Sequence, residues 1–158
     1  MRYERARYRN DKIRGAFEYQ GQKCSAMSRA YIPKSIWPTV EQKLINEVKK
    51  IKVGSPRDTS NFMNAVIDKN AFDNIVKYID YADNHDNAEI IYGGNFDDSE
   101  GYFIDPTIIL TTDPKFKTMV EEIFGPVLTI FVYGDEDWEQ TIKPVSYTHL
   151  TLPTSPHV

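Results

Sequence analysis

The 158-residue sequence holds a single cysteine, Cys24, inside the stretch "GAFEYQGQKCSAMSR", Gly15 to Arg29. A thiolate is both a strong nucleophile and a competent leaving group, so a displayed cysteine can carry acyl-transfer chemistry. A lone cysteine can equally serve as a small, inert core hydrophobe. Here its neighbours are polar, "QGQK" before it and "SA" after it. Gly21 permits an unusual backbone turn, and Lys23 would favour the thiolate if its ammonium lay nearby. The pattern suggests display, while spacing alone leaves burial open.

Other chemistries find less support. Of the three histidines, His149 and His157 fall in a C-terminal stretch that reads as non-native, and one remaining histidine with one cysteine cannot assemble a zinc cluster, so no metal site is expected. His85 sits in a polar "DNHDN" turn and reads as solvated. The acidic run Asp97, Asp98, Glu100 lacks the ligand spacing of a calcium loop and reads as a solvated turn. "GGN" at Gly93–Asn95 has neither the lysine nor the glycine spacing of a phosphate loop. A net charge of −4 gives no nucleic-acid signal. No apolar run approaches the roughly 18–20 residues that span a bilayer, so no membrane partner is expected. A single cysteine excludes an internal disulfide, which suits a reducing, intracellular or matrix-side setting.

The elements that would position Cys24 follow from periodicity. Trp37, Val40, Leu44, Val48 and Ile51 make one helical stripe across 36–53, with Ser35 as N-cap, Pro38 in the first turn and Gly54 as the stop. A second helix is predicted over 70–82, with Phe72, Ile75, Val76 and Ile79 on one face. "AEIIYGG" reads as a strand ending in a glycine turn, and "GYFIDPTIIL" as extended chain with Pro106 at an edge or bend. "GPVLTIFVY" is the strongest strand, β-branched and aromatic enough to be buried on both faces of a parallel sheet. A short helix is expected over 136–142. Alternating strands and helices predict an α/β fold with a mostly parallel sheet flanked by helices.

Both ends differ in character from this frame. "MRYERARYRN" is arginine-rich but lacks the serine content and amphipathic pattern of a transit peptide, and reads as an unmatched start over residues 1–12. From Val145 the chain loses all charge except for histidines. Val145 through Thr154 resembles the translation of a transposon-end sequencing adapter. Residues 145–158 therefore read as a non-native tail, in which case His149 and His157 have no chemical role.

"FEYQGQKCSA" resembles the nucleophile segment of the NAD-dependent aldehyde dehydrogenases. The lysine before and serine after the cysteine are similar to the Δ1-pyrroline-5-carboxylate dehydrogenase group, which acts on glutamate γ-semialdehyde. "SRAYIP", "SIWP", "IKVG", "AVID", "GGNFDDSEGYFIDPTI" and "EEIFGPVLTIFVY" follow in family order. The resemblance spans residues 13–144 and implies a catalytic domain truncated at both ends.

The resemblance implies a role for each matching residue. Cys24 would attack the aldehyde, with its own N–H donating to the oxyanion. Ser25 would bind the substrate carboxylate, and Lys23 would support the anionic substrate or the thiolate. Glu122 would accept the nicotinamide ribose hydroxyls and Phe124 would pack near the nicotinamide. Read alone, those last two would be a helix-end charge and a core aromatic. NAD is the implied cofactor, a small-molecule aldehyde the substrate, and a homo-oligomer the parent assembly, in the mitochondrial matrix for a eukaryotic source. The general-base glutamate and the oxyanion asparagine of the family would lie before residue 1, so the isolated chain is expected to be inactive. Two other readings stay open: a truncated, non-catalytic partner of the full enzyme, and a dehydrogenase for another aldehyde.

Overall fold

The structure, a computed structural model, describes residues 13–141 and residue 143. Residues 1–12 and 144–158, with His149 and His157, lie outside the described residues. The strands are β1 (Arg29–Pro33), β2 (Ala88–Tyr92), β3 (Phe96–Asp97), β4 (Phe103–Ile104), β5 (Thr107–Thr111) and β6 (Val127–Tyr133). The α-helices with defined bounds are α1 (Trp37–Val48), α2 (Lys69–Asp83) and the single turn α3 (Lys117–Val120).

The main sheet runs β1-β6-β5-β2. β6 pairs in parallel with both β1 and β5, while β2 joins β5 antiparallel. This is the mostly parallel α/β sheet that the sequence predicts. The run "VLTIFVY" occupies an interior position because a strand covered on both faces can bury successive residues. Val127, Leu128, Thr129 and Ile130 are accordingly all buried. Thr129 is tolerated there because its hydroxyl donates to the equally buried Thr118 hydroxyl at 2.8 Å.

Alternate side chains divide the core into two halves. Ile109 and Val127 pack with Phe72, Ile75, Ile79 and Ala82 of α2. Ile108, Leu128 and Ile130 pack with Phe17, Met63 and Val48. The chain before Cys24 and the loop before β6 are thereby fastened to opposite halves of one sheet.

α2 begins where Asp68 caps it, its Oδ1 accepting the Ala71 N–H at 2.8 Å. α1 departs from expectation at both ends. Its N-cap is Ile36, which makes no side-chain cap bond. Ser35 instead turns its N–H (3.2 Å) and its hydroxyl to the Asp135 carboxylate. An ionised acceptor outcompetes the helix's own orphan amides. The helix ends at Val48 rather than continuing to Val53. Lys49 and Lys50 turn the chain, and Val53 forms a parallel bridge with Met63 that a continuing helix would preclude.

Pro106 lies between β4 and β5, at the predicted bend. His85 lies in the predicted polar turn after α2 and is partly covered, its ring centroid 5.1 Å from that of Phe116 and 5.2 Å from that of Tyr81. The 136–142 helix is observed as a 3₁₀ turn at Asp135–Asp137 followed by helical residues 138–141. Ile142 lies outside the described residues.

Candidate active site

Helical residues 13–17 lead into a 3₁₀ segment, Glu18–Gly21, whose backbone swings left-handed at Tyr19 (φ 56°), Gln20 (φ 58°) and Gly21 (φ 66°). Successive left-handed residues reverse the chain sharply and are costly unless the surroundings hold them. The surroundings here are polar latches. Gln20 donates through Nε2 to the Ala65 carbonyl (3.0 Å) and accepts the Asn64 N–H (3.3 Å). Gln22 accepts the Ile67 N–H at 3.0 Å. The glutamines that flank Gly21 therefore hold segment 64–67 against the turn.

The chain then folds back once more. The Ala26 N–H donates to the Lys23 carbonyl at 3.0 Å, leaving Cys24 and Ser25 at the two corners of the turn. Both are exposed. Display, not burial, is the outcome for Cys24. The Met27 N–H donates to the Gly15 carbonyl at 2.8 Å and ties the turn's exit to its entrance. Lys23 reaches Glu18 instead of the thiol. Its Nζ lies 2.6 Å from Glu18 Oε2 and 4.9 Å from the centroid of the Tyr19 ring. That hydrogen bond and the lysine's charge hold the Glu18 carboxyl below the usual range.

The second half of the site comes from the loop between α3 and β6. Ile123 is buried there, and the flanking Glu122 and Phe124 are exposed. Phe124 is 43% exposed, so it is no core aromatic, and its backbone is left-handed at φ 56°. The Glu121 carboxylate accepts the Tyr78 hydroxyl at 2.7 Å, which separates its role from that of Glu122.

The two halves meet at a pair of glycines. A Cβ on Gly21 would lie 2.2 Å from the Gly125 carbonyl oxygen, and one on Gly125 would lie 2.5 Å from Ile75 Cδ1. Tyr19, Gln20, Gln22, Ala65, Ile67 and Phe124 line a cavity of about 290 Å³ at this junction. The structure thus brings Phe124 together with Tyr19, Gln20 and Gln22, on the segment that carries Cys24. Cys24, Ser25 and Glu122 are not among the cavity's lining residues. Gln20, Gln22 and Arg29 carried no sequence expectation. Their only sequence signal was the unusual density of polar side chains around one cysteine.

Residues 5–151 match the profile of the Aldehyde dehydrogenase family. The chain belongs to that family. It is 58% identical over 134 residues to the mitochondrial Δ1-pyrroline-5-carboxylate dehydrogenase of Dictyostelium discoideum, covering 85% of this chain and 24% of that protein. The human mitochondrial enzyme of the same name is 46% identical over 137 residues, covering 86% and 24%. Among solved structures, Δ-pyrroline-5-carboxylate dehydrogenase from Mycobacterium tuberculosis superimposes with a TM-score of 0.81 at 42% identity, covering 89% of this chain and 26% of that one. The same enzyme bound with NAD gives 0.79 at 41%, covering 89% and 25%. Betaine aldehyde dehydrogenase from Staphylococcus aureus gives 0.76 at 34%, covering 85% and 27%. This aldehyde dehydrogenase chain thus spans about a quarter of the length of the relatives it matches.

Proposed function

We propose that this chain is the cysteine-bearing part of a Δ1-pyrroline-5-carboxylate dehydrogenase. The enzyme would oxidise glutamate γ-semialdehyde to glutamate with NAD, in proline catabolism in the mitochondrial matrix. The observation that carries the reading is Cys24 at an exposed turn corner in a family member, on a segment whose Gly21 meets Gly125 beside Phe124. The names and compartment of the relatives support the substrate and the location.

In this reading the Cys24 thiolate attacks the aldehyde carbon and forms a thiohemiacetal, while the Cys24 N–H donates to the oxyanion. When bound, NAD accepts the hydride whose loss turns that adduct into a thioester. Water then cleaves the thioester and releases glutamate and the Cys24 thiol. The turn-corner position suits the first step, because the thiol can be approached without moving the backbone. Ser25, at the adjacent corner, donates its hydroxyl to the substrate's carboxylate.

The residues present fit the cofactor. Glu122 offers an exposed carboxylate, and an ionised carboxylate can accept from two ribose hydroxyls. Phe124 lines a cavity with Tyr19, Ala65, Ile67 and two glutamines, a mixture of aromatic, aliphatic and amide groups suited to a nicotinamide. Lys23 is paired with Glu18, so its ammonium would have to leave that partner to support the thiolate or the anionic substrate.

The test uses the full-length protein that carries this segment. It should form NADH from glutamate semialdehyde faster than from aliphatic aldehydes or betaine aldehyde. Cys24→Ser should lower the rate by several orders of magnitude. Activity surviving in C24S, or a preference for another aldehyde, overturns the assignment. The 158-residue chain alone should form no NADH, since it provides about a quarter of a family member.

A further inference from the structure

β1 begins at Arg29, on the exit side of the nucleophile turn. The Ser28 carbonyl accepts the Thr129 N–H at 2.9 Å, so this point of the chain is fixed to β6. The Arg29 side chain does not continue along the sheet. Its Nη1 donates to the Met119 carbonyl of α3. The guanidinium is half-buried there, and burial pulls its pKa below the ordinary arginine value, opposed by the charges of Tyr31 and Glu122. α3 is a single turn, and a helix's last carbonyls have no partners of their own. A half-buried cation donating to one of them is a strong, charge-assisted bond.

The location of this bond matters. Met119 is followed by Val120 and then by Glu121, Glu122, Ile123 and Phe124. That loop is held at its far end where Gly125 meets Gly21. At its near end it is held by Arg29. Both holds come from the one segment that carries Cys24, one from each side of the thiol.

We propose that Arg29 is a positioning residue for the cofactor loop. By tying α3 to the exit of the nucleophile turn, it sets how Glu122 and Phe124 are presented to NAD without touching NAD itself. The inference rests on the function proposed above. It adds that the thiol segment and the cofactor loop are registered to each other by a side chain outside both sets of reacting groups.

The test measures NAD binding by calorimetry in the full-length protein for wild type, Arg29→Gln and Arg29→Lys. Loss of a charge-assisted bond should weaken NAD by about tenfold in R29Q. R29K keeps a cationic donor and should recover about half of that loss on a logarithmic scale. The KM for the semialdehyde and the rate of Cys24 alkylation without NAD should stay within about twofold of wild type, because the thiol turn has its own latches. Equal NAD affinity in wild type and R29Q overturns the proposal while leaving the function intact. A wild type that binds no NAD overturns both. If R29Q fails to fold, R29K decides through hydrogen exchange: amides 121–124 should exchange several-fold faster while those of β6 do not change. Unaltered exchange at 121–124 overturns the proposal.

Discussion

Gly21→Ala is the sharpest perturbation of the junction between the two halves of the site. The backbone there has φ 66°, a region that costs an L-residue about 1–2 kcal/mol. The new methyl would also lie 2.2 Å from the Gly125 oxygen and 2.7 Å from its carbonyl carbon. An ordinary carbon–oxygen contact is about 3.3 Å, so the Gly125 carbonyl must retreat by roughly 1 Å. Behind Gly125 stands Ile75 of the buried core, so the retreat is resisted. Such overpacking costs about 1–3 kcal/mol, for a total of about 2–5 kcal/mol. Because Phe124 moves with Gly125, a shift of about 1 Å should also lower kcat/KM by about a hundredfold. Urea unfolding and steady-state kinetics on the full-length protein measure the two effects. Gly15→Ala is the control, since its Cβ would meet only Met27 Cβ at 4.0 Å. The reasoning fails if G21A stays within about 0.5 kcal/mol of wild type with unchanged kinetics, or if G15A is equally harmful.

Three further outcomes are expected. Thr129→Val should cost about 1–3 kcal/mol by stranding the buried Thr118 hydroxyl, while T118V/T129V should cost less than the two single changes added together; full additivity in urea unfolding would break the pairing argument. Glu18 has a depressed pKa, so its ion pair contributes stability above the unfolded carboxyl's pKa, and the contribution is lost as pH falls through the folded value. An NMR titration should therefore show the Glu18 midpoint rising in Lys23→Met, and an unmoved midpoint would remove Lys23 as the cause. Cys24 should react with a neutral maleimide in the folded protein without denaturant; a requirement for denaturant would contradict its place at the turn corner.

Period and composition made the sheet legible. Val127 to Tyr133 could hardly be anything but an interior parallel strand, and the α2 stripe of Phe72, Ile75 and Ile79 read directly onto the core. The failures were local competitions decided by residues far away in the chain. Ser35 has the composition of a cap, but Asp135 takes it. The helical stripe runs on to Ile51, yet Met63 offers Val53 a bridge. At the site, polar crowding around Cys24 was visible, and Gly21 could be flagged as a place for an odd turn. The left-handed backbone at Tyr19, Gln20 and Phe124 was not, because aromatic and amide side chains disfavour that region and nothing local requires it. The residues that meet it there are distant in sequence: segment 64–67 through the two glutamines, and Gly125 against Gly21. Lys23 was legible as a charge near a thiol, while its actual partner, Glu18, depended on a chain reversal that no periodicity encodes.

The register of β1 against β6 places Arg29 opposite Thr129, one hundred residues later in the chain. At a synthesis rate of about 5–20 residues per second, the nascent β1 edge waits roughly 5–20 s for its partner. During that interval neither hold on the Glu121–Phe124 loop exists, and the thiol's turn emerges before its counterpart has been made. Birth order thus leaves the Cys24 thiol unaccompanied, with an unpaired strand edge beside it that a holdase or a neighbouring ribosome's product can occupy.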